Sequence, residues 1–109
     1  MLNWIDVAGI DELIPDAGVC ALIAQRQIAI FYLPKINAVF AIDNLDPVSG
    51  AAVLSRGMVG DLSGEPMVAS PLYKQHYSLR TGVCLDDPAL KVAVYPVQIK
   101  LGRVQLALN

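Results

Sequence analysis

His76, Cys20 and Cys84 are the residues through which this 109-residue chain could hold a soft metal or activate a nucleophile, since it has one histidine and two cysteines in all. Two of them stand in the stretch SPLYKQHYSLRTGVC, residues 70–84, which has the outline of a metal-binding loop. The donors are too few and badly spaced. A four-ligand site needs four converging donors, and Cys84 comes after the RTG turn, too late to serve a loop tip. His76 lies in strand-like QHYSL, aimed away from the tip. It has no nucleophile and no obvious carboxylate near it in sequence, so acid–base work, which requires converging groups, is not expected of it. Asp86 and Asp87, taken with Asp46, suggest a cation site, but without the loop pattern of a calcium motif they read as a solvated turn. Arg56 and Arg80 flank the loops. They could bind a small anion, and the favoured reading is that each holds a loop carbonyl or carboxylate by charge-assisted hydrogen bonds. Neither adjoins a glycine-rich phosphate cradle. Cys20 and Cys84 read as reduced, buried small hydrophobes.

The elements that must carry these residues are strands. RVQLAL (103–108) alternates cleanly, with Val104, Leu106 and Leu108 on one face. AVYPVQIKL (93–101) alternates likewise, with Ala93, Tyr95, Val97, Ile99 and Leu101 facing in and Pro96 outward, which suits an edge or a bulge. Gly102 between them predicts a C-terminal hairpin. IAIFYL (28–33) is apolar on both faces and AVFAID (38–43) nearly so, as for strands at the centre of a sandwich or small barrel. PKIN (34–37) turns between them, and GVCALIA (18–24) predicts a further strand. The helical candidate is a single turn at GIDELI, 9–14, stopped by Pro15. Residues 44–89 break the rhythm with Pro47, Pro66, Pro71 and Pro88 and five glycines. The chain therefore reads as one all-β domain. A sandwich base of antiparallel strands (1–43 and 90–109) carries an inserted loop-rich subdomain (44–89), and loops on such a base are where function concentrates.

Composition excludes several classes. The net charge is −2 with Lys and Arg scattered, so there is no basic stripe for nucleic acid. The longest apolar run, IAIFYL, is far short of a bilayer span. MLNWIDVAGIDELI has no positive n-region, so no signal peptide is read and the cytoplasm is expected. At 55% hydrophobic and 17% charged, either most apolar surface is buried between sheets or some of it faces a partner.

The order of loops resembles that of Rieske proteins over almost the whole length. VFAIDN runs into the Pro-containing loop LDPVSGAAVLSRG (45–57), a second strand runs into ASPLYKQHYSLRTGVC, and YSLRTG is similar to the turn that follows the second Rieske loop. A Rieske 2Fe–2S centre is held by two Cys on one iron and two His on the other, supplied as C-x-H and C-x-x-H. Laid on this chain, the first pair falls on Asp46 and Val48 and the second on Ser70 and Tyr73. Val48 cannot ligate iron, and Ser and Tyr are poor substitutes for thiolate and imidazole. Pro47 and Pro71, which shape the loops, are present. The resemblance thus implies a Rieske-like fold with its ligands gone and no metal bound.

DPVSGAAVLSRGMVGD followed by EPMVASPLYKQHYSLRTGVCLDDP goes further. Across residues 3–108 the chain resembles a ligand-free branch of the Rieske-like proteins, the small subunits of cytoplasmic NAD(P)H-dependent assimilatory nitrite reductases. The resemblance implies a large catalytic subunit as partner, carrying FAD, NAD(P)H, sirohaem and a 4Fe–4S cluster and reducing nitrite to ammonium, while this chain binds no cofactor. Two roles are carried forward. The first is a non-catalytic partner subunit; the alternative is a Rieske-type ferredoxin-like electron carrier with unorthodox cluster ligation. A small-molecule sensor using the vacated loops is a weaker third. On the first reading Leu72, Tyr73 and Lys74 form the partner surface, Tyr73 also fills the space left by the cluster by packing onto Val48, and Pro47, Arg56, Pro71 and Arg80 support the loops.

Overall fold

The structure is a computed structural model that describes residues 2–108. Among them ten strands form three antiparallel sheets. The largest runs β2 (Ala17–Ile23), β3 (Arg26–Leu33), β4 (Ala38–Asp43) and β8 (Val94–Tyr95) in that order. A second joins β1 (Trp4–Gly9), β10 (Arg103–Ala107) and β9 (Val97–Lys100). The third, β5 (Met58–Leu62), β6 (Glu65–Ala69) and β7 (His76–Ser78), lies in the stretch that the sequence marks as loop-rich.

The two-sided apolar character of β3 and β4 has a direct cause: each serves two cores. Ile28, Ile30, Val39 and Ala41 pack with Leu13, Val104 and Leu106 toward the β1–β10–β9 sheet. Their alternates Ala29, Phe31, Leu33 and Ile42 pack with Leu54, Val68, Tyr77, Leu79 and Cys84 toward the β5–β6–β7 sheet. Burying a side chain of this size contributes roughly 1.5–3 kcal/mol, so the shared sheet ties the loop-bearing part to the base.

Four sequence expectations need correction. The run 93–101 is not one strand. Pro96, which has no N–H to give a ladder, divides it: Val94–Tyr95 pairs β4 and Val97–Lys100 pairs β10. Leu101, expected to face in, sits in the turn with φ +52° and is 96% exposed, and Ala93 is exposed as well. The helical candidate shrinks to a 3-10 turn, Ile10–Glu12, with the Glu12 carboxylate accepting from the Gly9 N–H at 2.7 Å. Strand β1 was missed; it pairs β10 from Trp4↔Ala107 to Gly9↔Arg103 with a bulge near Val7, and the bulge blurs the alternation. Cys20 is exposed, although Cys84 is buried and both are free thiols.

The RTG turn fixes one glycine. Gly82 has φ +77°, and a Cβ there would stand 2.1 Å from the Val92 carbonyl oxygen, so a side chain is excluded by backbone conformation and by space. This turn returns the chain from β7 to the strap that covers Tyr77, where Cys84 bridges Tyr77 and Val83 bridges Lys91.

Candidate functional site

Two loops meet at one end of the β5–β6–β7 sheet. The first leaves β4 through Asn44. Continuing the alternation of Phe40 and Ile42 aims the Asn44 amide inward, and it is 1% exposed. Its Oδ1 accepts from Ser55 N at 2.6 Å, and its Nδ2 donates to Ala52 O at 3.1 Å and to Gln27 Oε1 at 3.3 Å. Asn44 thereby fastens the far limb of the loop back to its start. Two residues on, Asp46 Oδ1 accepts from Val48 N at 2.9 Å and Ser49 N at 3.4 Å, a local turn that Asp favours. Gly50, at φ +74°, donates its N–H to Asp46 O at 2.8 Å.

The second loop repeats the device. Ser70 Oγ accepts from Leu72 N at 3.3 Å, Lys74 N donates to Ser70 O at 3.1 Å, and Ser70 N donates to Gln75 O at 2.9 Å. The two turn-forming side chains then join: Ser70 Oγ donates to Asp46 Oδ2 at 2.5 Å. Both residues are wholly buried. Burial acts to raise the Asp46 pKa, yet the donors from Ser70, Val48 and Ser49 outweigh it and hold the carboxyl below its usual range.

The four positions aligned with ligands therefore separate into an inner and an outer pair. Asp46 and Ser70 meet inside. Val48 and Tyr73 lie outside, 40% and 59% exposed. Tyr73 is thus not a filler of the space between the loops, because the Asp46–Ser70 bond closes it. These residues do not fit a 2Fe–2S centre: the Asp46 lone pairs are spent on neighbouring donors, Val48 offers none, and thiolate and imidazole are missing. Among the described residues no group of three or more His, Cys, Asp or Glu could hold a metal ion.

The remaining predicted residues are dispersed. His76 does have a carboxylate partner, ten residues on. Asp86 Oδ2 accepts from the His76 backbone N–H at 2.8 Å and lies 2.9 Å from Nδ1. These contacts hold Asp86 below the usual carboxylate range, the backbone bond first. Asp87 Oδ1 accepts from Ala89 N at 3.1 Å, so Asp46, Asp86 and Asp87 each serve separate partners. Among the described residues neither the Arg56 nor the Arg80 guanidinium makes an ion pair or reaches a loop carbonyl. Arg80 lies over the Phe40 ring instead, 5.8 Å from its centroid. Cys20 is exposed, and its Sγ meets Asn44 Nδ2 at 3.5 Å and Gln27 Oε1 at 3.6 Å.

Two site residues escaped the sequence reading, Asn44 and Tyr77. A polar residue on the buried register was the available signal for both. Tyr77 is fully buried, and its hydroxyl has no hydrogen-bond partner among the described residues. Burial first, and then the negative charge of Asp46, push its pKa up to about 12.

Paired loops on a three-sheet β scaffold, joined by a hydrogen-bonded Asp and Ser, are the architecture of a Rieske-type domain. Residues 3–107 match the Rieske-like [2Fe-2S] domain, and the chain belongs to that family. Within it the chain is similar to nitrite reductase (NADH) small subunits. It is 44% identical to that of Escherichia coli (strain K12) over 106 residues, 97% of this chain and 98% of that one. The fold matches, with TM-score 0.94 and 45% identity, a crystal structure assigned to an NADH-dependent nitrite reductase small subunit of Mycobacterium tuberculosis, covering 100% of this chain and 97% of that one. A third relative has a different architecture. In the nitrite reductase [NAD(P)H] large subunit of Klebsiella oxytoca, a segment 44% identical over 101 residues covers 93% of this chain and 10% of that protein.

Proposed function

We propose that this chain is the non-catalytic small subunit of an NAD(P)H-dependent nitrite reductase of the cytoplasm, acting in nitrate assimilation. It docks on the large catalytic subunit, supports that chain's fold or cofactor geometry, and carries no iron–sulfur cluster of its own. Sirohaem, 4Fe–4S cluster, FAD and NAD(P)H belong to the large subunit in this reading.

The observation that carries the proposal is the Klebsiella oxytoca protein, whose large subunit contains a homologous segment within its own chain. A domain that exists covalently in one relative and as a separate chain in others fits a partner of the large subunit. The loop tips are the docking face we favour. Leu45, Val48, Leu72 and Tyr73 are 51%, 40%, 51% and 59% exposed, respectively, on loops that the Asp46–Ser70 bond holds together. Apolar and aromatic side chains of this kind anchor interfaces, and Lys74 adds a cation beside them. A ferredoxin-like carrier with ligands from these two loop positions would have to break the Asp46–Ser70 bond to free them.

The test is NADH-dependent nitrite reduction by the purified large subunit, with and without this chain, alongside co-purification and iron analysis. Binding with raised or longer-lived activity, and a colourless iron-free small chain, supports the proposal. A chain that neither binds nor changes the rate overturns the partnership, and stoichiometric iron with visible absorbance overturns the clusterless reading.

A further inference from the structure

Strand β4 is paired along its whole length on one side and along a third of it on the other. Against β3 its residues all have partners, from Leu33↔Ala38 to Ile28↔Asp43. Against β8 the pairs are Ala41↔Tyr95 and Ile42↔Val94, after which Pro96 carries the chain away to the other sheet. Alternate residues of an antiparallel strand direct N–H and C=O to the same neighbour. Asp43 N donates to Ala93 O at 2.9 Å on the β8 side. Ala41 and Val39 therefore face that side as well, and Val39 has no ladder partner there among the described residues, because β9 passes close to β4 but pairs with β10.

A cleft of about 520 Å³ lies at this place, walled by Val39, Leu79, Val94, Tyr95 and Pro96. The one charged side chain on its lining is Arg80. Its guanidinium lies over the Phe40 ring, 5.8 Å from the centroid, and it has no ion-pair partner among the described residues. The Tyr95 hydroxyl is occupied, donating to Asp43 Oδ1 at 2.8 Å. An apolar trough with a free strand edge and one unanswered guanidinium is complementary to an extended peptide bearing a carboxylate. The neighbouring cleft of about 340 Å³, which Arg80 also borders, lacks that bias, because Asp16 and Asp61 there balance Lys35 and Arg80.

We infer that the β4–β8 cleft receives an extended, carboxylate-bearing segment of the large subunit. The segment adds to the Val39 edge as a short strand, lays apolar side chains on Leu79, Val94 and Pro96, and pairs its carboxylate with Arg80. The inference rests on the subunit reading above and adds a second contact, separate from the loop tips.

The experiment measures binding of the full chain to purified large subunit at low and high salt, for wild type, Arg80→Lys, Arg80→Met and Arg80→Glu. Melting temperatures are compared alongside, and Arg80→Met, which keeps the stem on Phe40, covers the case in which Arg80→Glu fails to fold. The expected result is binding weaker by about tenfold or more for Arg80→Glu. Arg80→Met should weaken binding with a flattened salt dependence, and Arg80→Lys should recover part of the affinity. A photoreactive side chain at exposed Val94 should cross-link to an Asp- or Glu-containing stretch of the large subunit. A wild-type complex that Arg80→Glu and Arg80→Met leave unchanged at both salt concentrations overturns this inference and spares the subunit reading. Absence of any complex with wild type overturns both.

Discussion

Ser70 donates its hydroxyl to Asp46 at 2.5 Å across the gap between the two loops, with both residues at 0% exposure. The resemblance read in the sequence lays the cysteines of a Rieske motif on these two positions. On that reading a hydrogen bond joins loops that a shared iron joins in a cluster-bearing domain. Each partner also caps its own turn, Asp46 through Val48 and Ser49 and Ser70 through Leu72, so the staple and the loop shapes support one another. This accounts for ordered cluster-type loops without the ligands of a cluster.

Ser70→Ala leaves a buried carboxylate short of its strongest donor and should cost about 2 kcal/mol at neutral pH by denaturant unfolding. The pH dependence has a definite sign. The folded pKa of Asp46 is held below its unfolded value, so its contribution is present above about pH 4 and fades as pH falls through the folded pKa. The difference between wild type and Ser70→Ala should therefore shrink in acid. A constant difference down to pH 2 would show that Asp46 is not the group involved.

Asn44→Ala removes an amide that serves Ser55 N, Ala52 O and Gln27 at once. Two backbone groups lose buried partners, which predicts a loss of about 2–4 kcal/mol. Amide hydrogen exchange should rise first at Ser55.

Tyr77→Phe should be neutral or stabilising by up to about 1 kcal/mol, because the hydroxyl it deletes is buried without a partner among the described residues. With a folded pKa of about 12 and an unfolded value near 10, Tyr77 makes wild type lose stability as pH rises from about 10 to 12. The Phe variant should lack that slope, which alkaline unfolding curves would reveal.

Tyr73→Asp is expected to weaken association with the large subunit by about 2 kcal/mol while stability stays within about 0.5 kcal/mol, since the side chain is mostly exposed. Calorimetric binding and a melting curve on the same sample separate the two effects, and unchanged binding would remove Tyr73 from the interface. Val104→Asp is the contrasting control: a charge at a fully buried position in the core should abolish folding.

Local patterning made the all-β class, the central strands β3 and β4 and the C-terminal hairpin legible in the sequence, because alternation and turn residues are local properties. The sequence by itself also settled which donors are missing, as ligand chemistry depends on residue type before geometry. What replaces them was decided by tertiary structure alone. The Asp46–Ser70 bond, the Asn44 anchor and the His76–Asp86 pair join residues 24, 8 to 17 and 10 positions apart, and no periodicity relates such partners. The division at Pro96 and the exposure of Leu101 were likewise invisible to alternation, which assigns a face along one strand and cannot say that its two halves join different sheets. Tyr73 and Tyr77 show the same limit most plainly. Both are tyrosines of one short segment, yet one ends in solvent and the other at the centre of a core, because the meeting of two loops decides which surface is left for each.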